Sequence, residues 1–562
     1  MKYIRFFQAI LIIITICACC AALNPSASAD QAIYINGDGE YVSTLKGLYA
    51  VGAGGSVEAL SDADVWAVSA FGLTKLGETE NSSQRTFREP VTPPSGEIRV
   101  KSAMIKVGLN YYYSKARNSS LEKATLQNYV GSGYSFGYYD AERNFVALGS
   151  TDETRLTVVI DRNVSVSGGT VGCYHIRLPD GYASFEEAKS AAALYSDAFP
   201  AYYDGAFCVL VGQYCSMEDA ASAKAQMGDG SGEVFSASNR CVTVTKTGST
   251  QILFEFDCGS ACSLAICPIS TGGKAETTYN GSDRYYGGFQ FMRTTGENMT
   301  VVNVLPLEDY VKGVVPYEMS SSWPLEALKA QALCARTYVM RNFGSYSSFG
   351  FDVTDDTYSQ AYCGTRSANS IADRAVDETA GLYVTYNGEL CEALYFSSDG
   401  GATEDSENIF ASRLPYLRGV IDPYEAKIDF PNKTWSEELT ADQLSQRLRS
   451  SGSTLARIAS VETEYTESGN MAKITFIDIN GKKATVTKTG CYSCLGLKSI
   501  HFTLKEKPNE PGVYRIEGGG WGHNVGMSQW GAYAMASEGY NYAQIIGFYY
   551  TGVTISKGII SA

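Results

Sequence analysis

Histidine is scarce in this chain, whose 562 residues include only His175, His501 and His523. A structural zinc site needs four ligands, usually two pairs of cysteine or histidine at short spacing. Cys491 and Cys494 form one such pair, but no second pair stands at zinc-finger spacing from it. We therefore predict no metal site and no cofactor, and we interpret the cysteines after residue 29 as disulfides or buried thiols.

Positive charge is also in short supply, because 45 lysines and arginines face 60 aspartates and glutamates, giving a net charge of −15. Nucleic-acid binding needs a basic surface, so this composition argues against a nucleic-acid partner. It argues equally against simple electrostatic attraction to an anionic wall or membrane. A neutral polymer such as a glycan fits better, and the 39 tyrosines offer flat faces for one, although tyrosine is also common in exported β-rich proteins.

Long hydrophobic runs are missing except near the N-terminus, where an apolar run extends from Ala9 to Leu23 after Lys2 and Arg5. The small residues at 27–29 complete the pattern of a secretory signal peptide over residues 1–29. We expect cleavage after this triplet and a location in the cell wall or outside the cell. The run is also close to the length of a membrane anchor, and Cys19 ends a loosely lipoprotein-like sequence, so both alternatives stay open.

The rest of the chain divides by pattern into three regions. Residues 30–165 contain short alternating runs typical of strands, and we find no chemistry in them. Residues 166–246 show the order strand, helix, strand, strand, helix, strand. Residues 247–558 mix strands with longer helices. The whole pattern predicts a multidomain α+β protein with mixed β-sheets.

The region 166–246 has clear local signals. Serine, a favoured N-cap, precedes both predicted helices, 184–197 and 216–227, and Asp204-Gly205 predicts a tight hairpin turn. The order is that of a split βαβ unit. Its segment Cys208–Met227 resembles the SPOR domain, a sporulation-related repeat, and this resemblance implies binding of glycan strands stripped of their stem peptides. An unrelated ferredoxin-like module stays an alternative.

One carboxylate in the last region, Glu318, follows an apolar helix predicted from Pro306 to Val315. If the helix extends to Glu318, the carboxylate lies near the negative end of the helix dipole, between the bulky Tyr317 and Met319. Both effects disfavour its ionised form. A carboxylic acid that keeps its proton near neutral pH can protonate a glycosidic oxygen. The alternative is an ordinary surface carboxylate at a helix end.

A second helix is predicted from Trp323 to about Arg341, with an apolar core face. Arg336 lies on another face, eighteen residues after Glu318. Its guanidinium could hold substrate oxygens or stabilise charge, or it could simply lie on a solvated face.

Two loops supply further candidates for substrate binding. In the first, the serines Ser397 and Ser398 can donate to sugar oxygens, and the glycines Gly400 and Gly401 allow close backbone approach, although a plain β-turn has the same composition. In the second, His523 could bind glycan or orient the acid, unless it is a satisfied structural histidine. Gln529 and Tyr416 are additional candidates for substrate binding.

These stretches together resemble the stage II sporulation protein D and amidase-enhancer family, over the ranges 301–342, 351–362, 394–410, 414–425 and 518–555. The resemblance implies an exported lytic transglycosylase that cleaves peptidoglycan glycan strands, with Glu318 as the catalytic acid and Arg336 near it. The family's other branch comprises enhancers of wall amidases. A non-catalytic, glycan-binding partner of an amidase is therefore the second hypothesis.

The chain departs from the family pattern at several positions. Phe396 and Asp399 stand where other members often have histidine and serine. Asn524 replaces a glycine that is usual in the family, and asparagine can adopt a positive φ at some energetic cost. Some members carry a Cys/His zinc cluster in the segment that matches 351–364. This segment has one cysteine and no histidine here, so we predict no zinc, and Cys363 either pairs with a thiol such as Cys391 or stays reduced.

Overall fold

The computed structural model describes residues 32–560, apart from short gaps at 37–38, 45–46, 52–56, 60–63, 70–71, 79–93, 116, 229–231, 294–297 and 432. The described residues form mixed β-sheets with helices, so the predicted α+β class is confirmed. The chain divides into two compact units. Unit I comprises residues 99–322, 339–380 and 559–562, and unit II comprises residues 1–98, 323–338 and 381–558.

Unit I contains two large sheets. The ten-stranded sheet has the spatial order Glu233–Ser236, Tyr174–Arg177, Ala206–Tyr214, Ala198–Tyr203, Ile252–Asp257, Val242–Lys246, Arg155–Ile160, Lys123–Asn128, Thr277–Tyr279, Asp283–Tyr285. The seven-stranded sheet has the order Phe145–Thr151, Tyr134–Tyr139, Ala265–Pro268, Gly288–Met292, Thr300–Pro306, Met104–Asn110, Val353–Thr354. Two small hairpins accompany them, Tyr112–Ser114 with Arg117–Asn118 and Val164–Val166 with Gly169–Val171.

The predicted order of residues 166–246 is observed. Helices α1 (Phe185–Ala192) and α2 (Met217–Met227) each begin after a serine whose side chain accepts a backbone N–H bond. The hairpin turn has positive φ at both Asp204 (48°) and Gly205 (89°), as a type I′ turn requires. Helix α1 ends at Ala192, five residues before the predicted boundary at 197, and the chain then turns before the strand that begins at Ala198, with a positive φ of 56° at Asp197. The likeness to the SPOR domain stays a prediction.

This βαββαβ segment is continuous with the rest of unit I. The strand Ala198–Tyr203 pairs in parallel with Ile252–Asp257, so its sheet extends into strands on both sides of the segment in sequence. Aromatic packing fixes α1 as well, because the ring of Phe185 lies 5.5 Å from Phe254 and 6.1 Å from Phe136, which is stacked on Phe254. The segment therefore shares one hydrogen-bonded sheet with strands before residue 165 and after residue 246, and the expected domain boundaries stay a prediction.

Three helices follow the strand Thr300–Pro306. Helix α3 (Leu307–Glu318) packs against α5 (Ser370–Glu378) within unit I. Helix α4 (Leu325–Arg341) runs from unit II into unit I, and its small apolar residues are almost all buried. A single 3₁₀ turn, Ser347–Phe349, lies between α4 and α5.

Unit II is built from small sheets and short helices. Its four-stranded sheet has the order Glu389–Leu390, Leu382–Tyr386, Thr554–Ile560, Glu97–Val100. Two three-stranded sheets have the orders Thr434–Thr440, Val513–Gly519, Phe502–Glu506 and Ile458–Tyr465, Met471–Asp478, Lys483–Thr487. Tyr395–Phe396 pairs in parallel with Met527–Ser528. The helices are α6 (Ser406–Ile409), α7 (Ala441–Ser450), α8 (Gly490–Ser493), α9 (Gln529–Ser537), α10 (Tyr542–Tyr549) and a 3₁₀ turn at Glu425–Lys427.

A six-stranded sheet precedes these elements, in the order Val57–Ala59, Gly47–Val51, Gly39–Thr44, Ala32–Asn36, Asp64–Ser69, Gly72–Glu78. The predicted signal peptide, residues 1–29, lies outside the described residues. Within the described part of the chain, no helix combines the length and the apolar character needed to cross a bilayer. The twelve cysteines from Cys173 to Cys494, including Cys363 and Cys391, are thiols and form no disulfide.

Candidate functional site

Glu318 is the last residue of α3, so the helix extends to this carboxylate, as the dipole effect predicted from the sequence requires. The helix ends there because the N–H of Met319 bonds to the carbonyl of Val315 while the backbone of Met319 turns extended. The Glu318 side chain is half-buried, Tyr317 is 51% exposed and Met319 is buried. A carboxylate at the C-terminal end of a helix faces the negative end of the helix dipole, which disfavours its ionised form.

The segment 351–362 holds α3 in place. The hydroxyl of Tyr310 in α3 donates to Oε1 of Gln360 (3.1 Å), and the hydroxyl of Tyr362 donates to Oδ1 of Asn303 (2.7 Å). Gly313 permits this approach, since a Cβ atom there would lie 2.5 Å from the Tyr362 ring. These contacts fix the helix whose end presents Glu318.

A second titratable carboxyl in the same segment was missed by the sequence argument. Burial, and then the negative charge of the adjacent Asp356, raise the pKa of Asp355 to about 7. Asp356 instead forms an ion pair with Arg117. The pair of consecutive aspartates in 351–364 is the signal that could have pointed to Asp355, because two neighbouring carboxylates rarely ionise with equal ease.

Arg336 lies in unit II and is completely buried. Its Nη1 atom lies 3.3 Å from the carbonyl oxygen of Leu382 and 3.5 Å from that of Ala332. The solvated helix face considered from the sequence is therefore wrong for this residue. The guanidinium has five N–H donors, so it can reach several backbone carbonyl oxygens at once, which a side chain with fewer donors could not do.

The loop Ser397–Gly401 is held by hydrogen bonds to a buried carboxylate, Glu425. Its Oε1 accepts the hydroxyl of Ser398 (2.6 Å) and the N–H of Gly400 (3.0 Å), and its Oε2 accepts the N–H of Asp399 (3.1 Å) and the hydroxyl of Ser528 (2.6 Å). The Ser398 hydroxyl is thus turned inward. Ser397, Gly400 and Gly401 are half-buried and remain the part of the loop nearest to solvent.

Asp399 joins Glu425 and Asp422 in a group of carboxyl oxygens that lie within 4.8 Å of one another. Burial and the charges of Glu425 and Asp422 raise the pKa of Asp399 well above its ordinary value. Its Oδ1 accepts the N–H of Gly401 (2.7 Å), and its buried Oδ2 has no hydrogen-bond donor among the described residues. A protonated Asp399 can share its proton with Asp422 in a hydrogen bond between the two carboxyl groups. The residue at position 399, where this chain departs from the family pattern, is therefore part of the buried interior.

Two groups of three ligating side chains occur in the described part of the chain, this one and Asp161, Cys241 and Glu255. Neither lies in the segment 351–364. The four acceptor positions of Glu425 are all filled by donors, which leaves it no lone pair for a cation.

His523 packs between the rings of Phe396 (5.3 Å) and Phe410 (5.4 Å), and its Nδ1 accepts the N–H of Val525 (3.2 Å). Burial lowers the pKa of His523 to about 4, so its ring is neutral at physiological pH. The next residue, Asn524, has φ of 61°, as the sequence comparison with glycine anticipated.

The two remaining candidates lie inside unit II. Tyr416 is buried, and its hydroxyl accepts the N–H of Glu392 (2.9 Å). Gln529 is the first residue of α9 and is also buried, directly after the N-cap Ser528. Both side chains are buried in the described structure, and their role in substrate binding stays a prediction.

Comparison with known proteins assigns the chain to a family. The family model described as stage II sporulation protein matches residues 295–386. Stage II sporulation protein D of Bacillus subtilis (strain 168) is 36% identical over 276 residues, which are 46% of this chain and 77% of that protein. The chain belongs to the stage II sporulation protein D family. An uncharacterized protein of Brachyspira hyodysenteriae is 38% identical over 280 residues, 50% of this chain and 73% of the relative.

A further relative has a different name. The protein called Amidase enhancer from Bacillus subtilis is 34% identical over 297 residues, and the alignment covers 44% of this chain and 40% of that longer protein. The stage II sporulation protein D match at 295–386 contains α3, α4 and α5, and with them Glu318, Asp355 and Arg336. The loops at 397–401 and 518–529 lie beyond that match.

Proposed function

We propose that this member of the stage II sporulation protein D family is an exported lytic transglycosylase that cleaves the glycan strands of peptidoglycan, with Glu318 as its acid. The observation that carries the proposal is the position of Glu318 as the half-buried last residue of α3, inside the family match. A glycosidic oxygen needs a protonated carboxyl as its proton donor, and Glu318 would supply it.

One carboxyl group is enough for this reaction. Glu318 would protonate the oxygen that leaves C1 of the muramic acid ring, and the bond between C1 and that oxygen would break. The C6 hydroxyl of the same ring would then form the new bond to C1 and return its proton to the Glu318 carboxylate. No water is consumed, and the product ends in a 1,6-anhydro sugar. Hydrolytic glycosidases, by contrast, use two carboxyl groups.

We propose separately that the two loops of unit II bind glycan. Ser397, Gly400 and Gly401 are the half-buried part of the first loop that lies nearest to solvent, and a Cβ atom at Gly401 would touch nothing. Arg336, Ser398, Tyr416 and Gln529 are buried and would support the loops and the elements around them. His523 is half-buried, as the three loop residues are, and would contact the strand.

A digest of purified strands tests the proposal. The full chain and its Glu318→Gln variant are incubated with strands with and without stem peptides, and products are read by mass spectrometry. We expect anhydro-ended fragments from the peptide-free strands, and a loss of rate of at least about 100-fold in the variant, since general-acid catalysis contributes about 10²–10⁴-fold. Glu308→Gln, at the opposite end of the same helix, is the matched control and should keep the activity.

The second hypothesis is a glycan-binding partner that enhances a wall amidase, and the name of one relative favours it. Under this hypothesis neither substrate is cleaved, while strand binding and amidase stimulation survive Glu318→Gln. Cleavage that is lost in Glu318→Gln and kept in Glu308→Gln would exclude it. The names of the relatives also support a role in sporulation or wall remodelling outside the membrane.

A further inference from the structure

The interior of unit I contains a group of polar side chains that the proposed chemistry does not use. Ligating atoms of Asp161, Cys241 and Glu255 lie within 4.8 Å of one another. Asp161 and Cys241 lie at the adjoining ends of two paired strands, and the N–H of Asp161 donates to the Cys241 carbonyl (3.2 Å). Glu255 lies in the next strand of the same ten-stranded sheet. Backbone pairing therefore brings together three side chains that are far apart in the sequence.

A fourth side chain, His175, joins this group from a strand three places away from the Glu255 strand. Strands so arranged in a flat sheet would lie about 14 Å apart. Yet Nε2 of His175 lies 3.3 Å from Oε2 of Glu255, so the sheet curls around the group. Nδ1 of His175 donates to the carbonyl oxygen of Gly212 (2.7 Å). This bond fixes the ring and leaves Nε2 as the nitrogen that can ligate a metal ion.

Two atoms of the group have no hydrogen-bond partner among the described residues, namely Oδ1 of Asp161 and Nε2 of His175. The histidine has no exposed surface, and its contact with Glu255 lacks the alignment of a hydrogen bond. Buried polar atoms are nearly always completed by a partner, because leaving them unsatisfied costs free energy. Both atoms therefore point to a ligand that lies between these side chains.

Glu255 also keeps coordination positions for such a ligand. Its Oε1 accepts the hydroxyl of Tyr203, and its Oε2 accepts the hydroxyl of Thr243 (3.2 Å). Each carboxylate oxygen has two lone pairs, so each retains one after these bonds. Glu425 in unit II differs in this respect, since donors occupy all four of its positions.

The chemistry of the donors indicates which ion fits. A thiolate sulfur, an imidazole nitrogen and two carboxylate oxygens are ligand types of four-coordinate Zn²⁺, whereas Mg²⁺ and Ca²⁺ prefer oxygen ligands. Ligand atoms of a tetrahedral zinc site lie about 3.3–3.8 Å apart, so side-chain movements of about 1 Å close this group around an ion. Three anionic ligands exceed the charge of Zn²⁺ by one. The guanidinium of Arg293, whose Nη1 donates to the Cys241 carbonyl (2.7 Å), offsets this excess.

We propose that Asp161, His175, Cys241 and Glu255 form a structural zinc site inside the ten-stranded sheet of unit I. Zn²⁺ takes the place of the protons on the Cys241 thiol and on Nε2 of His175, and its four bonds tie the strands together. The ligands lie outside the family match at 295–386, so the site is independent of the proposed wall chemistry. The sequence prediction of no metal site considered ligand pairs at short spacing, whereas these ligands are distributed over residues 161–255.

Zinc content, cobalt spectra and thermal unfolding of the full chain test this site. The protein is stripped with a chelator, refilled with Zn²⁺ or Co²⁺, and separated from unbound ion by gel filtration. We expect a bound ion that Mg²⁺ and Ca²⁺ do not displace, and an absorption band for charge transfer from thiolate to Co²⁺. Zn²⁺ at about 100 times its Kd should raise the midpoint of thermal unfolding by about 5 °C.

Variants locate the ion. Asp161→Asn and Cys241→Ser should each weaken Zn²⁺ binding at least about 100-fold, because loss of an outer partner of a ligand alone costs about 10–100-fold. Cys241→Ser should also abolish the charge-transfer band. Cys334→Ser is the matched control, since Cys334 is an equally buried thiol in α4, and it should keep both the affinity and the band.

Asp161→Asn preserves the shape of the side chain, so the site stays testable if Cys241→Ser does not fold. A refilled parent chain without bound ion would overturn the site. Zn²⁺ affinity that is unchanged in Asp161→Asn, or a cobalt band that persists in folded Cys241→Ser, would overturn it as well.

Discussion

The three histidines differ in protonation because their surroundings differ. Burial lowers the pKa of both His501 and His523 to about 4, so both rings are neutral in the working range of most enzymes. Burial also opposes the charged form of His175, but the Glu255 carboxylate 3.3 Å from its Nε2 outweighs this effect and raises the pKa to about 9. A change of activity between pH 5 and 8 should therefore arise from carboxyl groups.

Asp355 gives the first prediction on stability. Its pKa is about 7 in the folded chain against an ordinary 3.8, so the folded state holds a proton that the unfolded state releases between these values. Stability therefore falls as pH rises through this window, by up to about 1.4 kcal/mol per pH unit. Asp355→Asn should remove this slope in urea titrations followed by circular dichroism at pH 5 and pH 8. Asp442→Asn, at an exposed aspartate, should keep it, and an unchanged slope in Asp355→Asn would contradict the assignment.

Single residues also show where sequence reasoning ends. The position of Glu318 at a helix end could be predicted, because Pro306, the apolar spacing and the following polar run are all local signals. The burial of Arg336 could not, since it depends on the carbonyl of Leu382, which no local pattern places nearby. The place of Asp399, which departs from the family pattern, could not be predicted for the same reason. Its partner Glu425 lies in another loop, and only the folded chain brings them together.

Elements with local signals were predicted well. The serine caps of α1 and α2 and the turn at Asp204-Gly205 are all observed, because a cap or a tight turn depends on residues within a few positions. The order of the ten strands in unit I was beyond reach, since the parallel pair of Ala198–Tyr203 with Ile252–Asp257 joins segments that local periodicity treats separately.

The junction between the two loops of unit II can be tested with two glycines. Gly520 and Gly481 have nearly equal φ, 76° and 77°, but a Cβ atom at Gly520 would meet the Ser398 carbonyl oxygen at 2.5 Å and one at Gly481 would meet nothing. Gly481→Ala should cost about 1 kcal/mol through its backbone conformation alone. Gly520→Ala should cost about 2 kcal/mol more, measured by urea unfolding with tryptophan fluorescence. Equal costs would show that the two loops are not in close contact.

At the scale of the whole molecule, tryptophan is distributed unevenly. All five tryptophans fall within the ranges of unit II, and unit I has none. Tryptophan fluorescence therefore reports on unit II, while circular dichroism reports on both units.

The difference between the fluorescence and dichroism signals allows a test of the Glu425 network by the substitution Glu425→Ala. The change leaves four buried donors without their acceptor, which should cost at least about 3 kcal/mol in unit II. The fluorescence transition in urea should shift to lower concentration, whereas the part of the dichroism transition that belongs to unit I should not move. Glu437→Ala, which removes a partly exposed partner of Arg447, is the control and should shift the fluorescence transition by less than about 1 kcal/mol. A shift as large as that of Glu425→Ala would count against the buried network.

The sheet that pairs Thr554–Ile560 with Leu382–Tyr386 has a consequence for biogenesis. If the chain is exported as proposed, its passage across the membrane from the N-terminus delivers α4, with its buried apolar surface, long before the strand that completes unit II. Throughout that interval the helix and its buried arginine stay open to water and to other chains, a condition that promotes aggregation. Holding factors that shield the emerging segment, or slow release of the chain, would therefore determine the yield of the folded protein.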